Sequence, residues 1–162
     1  MTMTLKEVLR TKVQAFEAEN EKNKGVISEW QAAIAKLLGQ FREWLAASDP
    51  EKILEIQELK KEISEPGLGQ YTVSRMDIRA FGKWIGILPK ARRTIRKALP
   101  PQSGAPEQAT GRVDITDEVR RYILYRFTKN NVDNWFIEGP DAGALKPLNQ
   151  EAFEAALTSY FK

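Results

Sequence analysis

With neither Cys nor His anywhere in the chain, any catalysis would have to come from carboxylates, Lys, Tyr, Ser or Thr. The absence removes Ser-His-Asp and Cys-His nucleophiles, His general bases, thiolate redox chemistry, Cys/His zinc sites and His-ligated haem. An oxygen-ligated Mg²⁺ or an activated Lys or hydroxyl would remain. Glu58-Leu-Lys60 matches the short Glu-x-Lys element of metal-dependent nucleases, where the Glu holds Mg²⁺ and the Lys steadies developing charge. The Asp that should precede it is represented only by Asp49, in Asp49-Pro50, which reads as a helix cap. Asp114, Asp117 and Glu118 are close enough in sequence to hold a divalent ion, but they read better as an acidic turn with Asp117 accepting backbone amides. Gly82-Lys83 lacks the glycine that a phosphate loop requires five residues earlier, because position 77 is Asp. The reading leans away from an enzyme and assigns no catalytic residue, no cofactor and no metal; a carboxylate-dependent enzyme would have to use Glu58, Asp114 and Asp117.

Charge is distributed unevenly. The formal net charge is +3, yet residues 68–98 hold eight Lys/Arg against one Asp, with a slight acidic excess on either side. Lys90, Arg92, Arg93, Arg96 and Lys97 follow a β-rich segment that contains Tyr71, Phe81 and Trp84. Cations that neutralise phosphates beside an exposed ring that stacks on a base are the physics of single-strand binding. These five residues and Trp84 are therefore the candidate nucleic-acid contacts. In the competing reading the rings are core and the cations are a solvated run that pairs with the acidic helices.

The strongest periodic signal lies at the N-terminus. Thr4 and Glu7 form a capping-box pattern, and apolar residues then recur at alternating spacings of four and three: Leu9, Val13, Phe16, then Ile27, Trp30, Ile34, Leu37, Phe41 and Trp44. Such a seam either packs on the chain's own sheet or contacts a protein partner, including a second copy. On the second reading Ile27, Trp30, Ile34, Leu37, Phe41 and Trp44 form the interface. Continuing the spacing through the gap puts Asn20 and Asn23 on the seam, followed by Lys24 and Gly25. A break there would give two helices, about 4–22 and 26–47, whereas a buried Asn pair would set the register between two chains. A membrane-surface role is not expected, because the region is net acidic and anionic lipid would repel it.

These candidates must be positioned by a mixed set of elements. Ile53–Ile63 admits two readings, a helix from the spacing of Ile53, Ile56, Leu59 and Ile63 or a strand after one helical turn; the strand is favoured because Glu65-Pro-Gly-Leu-Gly69 is turn chemistry leading into the β-rich Tyr71–Ile78. Further strands are expected at Trp84–Leu88, Arg112–Ile115, Arg121–Thr128 and Asn134–Ile137, with turns at Lys129–Asn131 and Gly139-Pro140. Pro100–Pro106 reads as a surface connection. Asn149 caps an amphipathic C-terminal helix whose Phe153, Ala156, Leu157, Tyr160 and Phe161 share one side. The expected architecture is one α+β domain over 1–162, with helical 1–47, an antiparallel sheet of about five or six strands over 53–138, and a helix over 149–162. Without an apolar run near 18 residues or a basic-then-apolar start, the expected location is cytoplasmic. The function expected is a protein-interaction module that self-associates through the N-terminal seam, with nucleic-acid binding through 68–98 as the alternative.

Overall fold

The computed structural model describes residues 2–93, 108–141 and 145–162. Helix α1 runs unbroken over Leu5–Ser48, about 66 Å at 1.5 Å per residue. The capping box is present: Glu7 donates its backbone N–H to the Thr4 hydroxyl, and the Glu7 carboxylate accepts from the Thr4 N–H. The break considered at Asn20–Gly25 does not occur. One Gly costs only about 1 kcal/mol in a helix, and packing of the helix on the core from Ile27 and Trp30 onward outweighs that. Asn23 is also occupied, its Nδ2 donating to the Gly67 carbonyl at 3.0 Å.

Asp49 caps the end of α1 and accepts from the amides of Ile53 and Leu54, both at 2.8 Å. Those bonds turn the chain directly into β1, so the helical turn expected before the strand is replaced by a tight turn at Pro50-Glu51. Strands β1 (Glu55–Glu65), β2 (Gly69–Ala80), β3 (Lys83–Ala91), β4 (Arg112–Thr116), β5 (Arg121–Lys129), β6 (Val132–Glu138) and β7 (Lys146–Pro147) pair antiparallel in sequence order. Among the described residues the sheet thus has seven strands. The seventh is a two-residue pairing against β6, too short to leave an alternation in the sequence. Pro100–Pro106 lies outside the described residues.

Register places Met76, Ile78, Ile85, Ile87, Val113, Ile115, Leu124 and Ile137 on one face of the sheet. This face packs against Trp30, Ile34, Leu37, Leu38, Phe41 and Leu45 of α1 in one core cluster. Ile63, Tyr71 and Val73 have the opposite parity yet join the same core, as the strong coiling of long two-stranded ribbons allows. Helix α2 (Gln150–Phe161) closes the far end. Asn149 caps it by accepting from the Ala152 amide, and Phe153 stacks on Phe41 with ring centroids 4.2 Å apart. Among the described residues no helix is long and apolar enough to cross a membrane.

Candidate interaction surface

The apolar seam of α1 is divided by what covers it. Trp30, Ile34, Leu37 and Phe41 are buried, and Ile27 and Trp44 are half-buried against the same core. This corrects the interface assignment made on spacing alone, because the sheet and α2 occupy the volume that a partner would need. The free part of the seam lies one segment earlier. Leu9, Val13 and Phe16 are 55%, 53% and 67% exposed, and Leu5 beside them is 72% exposed. All residues from Thr2 to Lys22 are exposed. Asn23, the next residue, is where α1 reaches the edge of the sheet, at the β1–β2 turn. Residues 5–22 therefore project as a helical arm about 27 Å long.

The body holds the base of this arm tightly. Glu29 of α1 is ion-paired to Arg126 of β5 and to Arg92, the latter at 3.5 Å. Partial burial pushes the Glu29 carboxyl upward, but the two guanidiniums outweigh it and hold the group below its usual range. Gln31 donates to the Thr72 carbonyl at 2.7 Å. Glu65, buried at the hairpin end, accepts the amides of Arg92 and Arg93 at 3.0 Å each and the Tyr71 hydroxyl.

Among the described residues, the candidate nucleic-acid contacts Trp84, Lys90, Arg92 and Arg93 do not form one site. Lys90 is exposed at the end of β3, Arg92 is paired to Glu29, and the Arg93 guanidinium lies over Gly67. Arg96 and Lys97 lie outside the described residues. Trp84, near the start of β3, folds its indole over Gly86, where a Cβ would sit 2.5 Å from the ring. It is eight residues from Arg92, roughly 26 Å along an extended strand. Register puts Arg75, Arg79, Arg112 and Arg121 on the Trp84 face, but buried Asp77 and Asp114 pair with three of them, Arg75, Arg112 and Arg121. The strand thus separates Trp84 from Arg92 and Arg93.

The carboxylates do not converge either. Glu58 faces the helix side and pairs with Arg42. Asp114 lies on the opposite face, with β2 and β3 between their strands, about 14 Å at the usual strand spacing. Asp117 accepts from the amides of Val119 and Arg120 at 2.9 and 2.8 Å, the acidic-turn reading. The Arg120 amide first, then that of Val119, holds its carboxyl below the usual range. Among the described residues no three metal-ligating side chains cluster. Lys60 donates to Ser74 on β2 at 3.2 Å.

Sequence reasoning missed two features. One is the half-buried Lys61, whose ammonium donates to the Pro89 carbonyl at 2.9 Å. The other is the buried Arg126, joined to α1 by a contact 97 residues away in sequence. No local pattern marks such long-range pairs. Comparison with family models, curated proteins and solved structures returns no match to this chain.

Proposed function

We propose that this chain is a non-catalytic protein-interaction module whose contact surface is the N-terminal arm, with the sheet and α2 as its rigid base. One observation carries the reading: a capped, continuous helix extends its apolar seam beyond its own body, leaving Leu5, Leu9, Val13 and Phe16 exposed. Burying a large aliphatic or aromatic side chain is worth about 1.5–3 kcal/mol, so this stripe has a strong tendency to find a cover. Helical recognition of this kind uses anchors spaced three and four residues apart. The scattered carboxylates and the engaged arginines support the same reading over catalysis or phosphate binding.

The test is site-specific photocrosslinking in the producing cell, with a photoreactive residue at Phe16 and a control at Val119, which is exposed in the β4–β5 turn. Discrete protein adducts, with the chain itself or with another protein, are expected from position 16 and not from 119. No adduct at 16 above the control overturns the reading.

A further inference from the structure

We infer that the arm's occupant is the same arm of a second copy, running antiparallel, with Val13 of each chain against Phe16 of the other. The inference rests on the arm being a contact surface and goes on to name the partner, its orientation and its register.

Orientation follows from where the sheet stands. The seam runs in unbroken helical register from Leu9 through Asn20 and Asn23 to Trp44, and from Asn23 onward the chain's own hairpin and sheet lie on that side. A parallel partner in register would carry its helix into that volume, since α1 has no kink at which to diverge. An antiparallel partner leaves the volume free, because its body then lies beyond the N-terminus of the first helix. Charges alone would also suit a parallel pair, with Lys12 facing Glu17 and Glu19 facing Lys24. The position of the sheet decides between them.

Register follows from charge. Aligning Val13 with Phe16 in both directions sets Leu9 against Asn20 at each end of the overlap, where the Asn can still reach water. On the flanks, Arg10 faces Glu17 and Lys12 faces Glu19, each twice by symmetry, with no like-charge pair. Sliding by one heptad towards the N-termini puts Arg10 against Arg10 and Lys12 against Lys12. Sliding the other way puts Glu17 against Glu17 and Glu19 against Glu19. Both neighbouring registers are repulsive. The chosen one also brings Leu5, exposed and off the seam, beside the half-buried Val26 of the other copy at the base of its arm. Asn20 argues in the same direction at the level of stability: a short overlap with a polar residue near each end makes a reversible dimer.

The purified full-length chain is examined by sedimentation velocity over a wide concentration range. A monomer–dimer equilibrium is expected, lost in Val13→Glu and in Phe16→Glu, both at exposed positions that leave the body folded by circular dichroism. Arg10→Glu and Glu17→Arg should each loosen the dimer by roughly tenfold, since each turns two attractive pairs repulsive, and the double swap Arg10→Glu/Glu17→Arg should restore it. In a parallel pair Arg10 faces Leu5, so the double swap would not rescue. A strict monomer, a dimer indifferent to Val13→Glu, or a failed rescue each overturns the inference. If the pure chain is monomeric while Phe16 still crosslinks to another protein, the antiparallel pair is wrong and the arm remains a contact surface. If Phe16 gives no adduct, both fall.

Discussion

The guanidinium of Arg126 lies 5.7 Å from the ring centroid of Trp30, and the same arginine is ion-paired to Glu29, the residue before Trp30 on α1. It is also paired to Asp133 of β6 at 2.9 Å. One buried cation thus links the long helix to two adjacent strands, β5 and β6. The contact also sets how far α1 slides along the sheet, and therefore how much of the helix is left over as an arm.

Arg126→Ala should lower unfolding free energy by about 3–5 kcal/mol, because it removes the buried member of an ion network together with its packing on Trp30. Arg126→Met combined with Glu29→Gln and Asp133→Asn should lose much less, since apolar volume is kept and no carboxylate is left facing a vacated charge. Urea unfolding of the three proteins checks this. A cost under about 1 kcal/mol for Arg126→Ala would show that the network does not tie the helix down.

Two glycines should respond in opposite directions. A Cβ at Gly111 would lie 2.3 Å from the fully buried Trp30 ring, so Gly111→Ala should cost about 1–3 kcal/mol by overpacking. Gly25, on the outer side of α1, has open space where a Cβ would sit, with no atom within 4 Å. Gly25→Ala should therefore stabilise by about 1 kcal/mol through helix propensity. Thermal melts of both variants read the sign directly.

Lys61 should impose an upward slope on stability in mild alkali. Burial first, then the neighbouring charge of Lys90, pushes its pKa down from 10.5 to about 8, while Asp114 pulls the other way and Arg75 adds to the depression. The folded chain releases this proton near pH 8 and the unfolded chain only near 10.5. Between those values the unfolded state binds more protons, so stability rises with pH. Tyr71 and Tyr160 act oppositely: burial raises both, so their contribution falls once pH passes about 10. The comparison therefore belongs between about pH 7.5 and 9.5. Wild type should gain stability relative to Lys61→Met measured at the same pH; parallel curves for the two proteins would contradict the assignment.

Deleting residues 2–19 should leave the body intact. Every residue removed is exposed, and Asn20 is left in place to cap the shortened helix. In dilute solution, where association adds nothing by mass action, the unfolding midpoint should correspond to a change below about 1 kcal/mol. A collapse of cooperative unfolding would mean that the arm is part of the core.

Part of this architecture is readable in the chain itself. Thr4 with Glu7, Asn149 before Ala152, and the Glu65–Gly69 turn are interactions spanning five residues or fewer, so local chemistry specifies them. The alternation in β2 through β6 is legible for the same reason, since one face of each strand must meet a core. The alternation of four and three in α1 establishes a helix and a seam.

That periodicity could not say what covered the seam. Val13 and Phe41 occupy equivalent positions in the repeat, yet one is 53% exposed and the other fully buried, because the sheet ends at the level of Asn23. Where it ends is determined by Arg126 with Glu29 and by Gly67 with Asn23, pairs 97 and 44 residues apart in sequence. Likewise, Arg92 and Trp84 are near neighbours along the chain, but an extended strand holds them at opposite ends. Sequence by itself determined the elements, whose forces act over a few residues. Only the tertiary structure decided which apolar and charged groups were consumed in packing them, and so which remained to meet a partner.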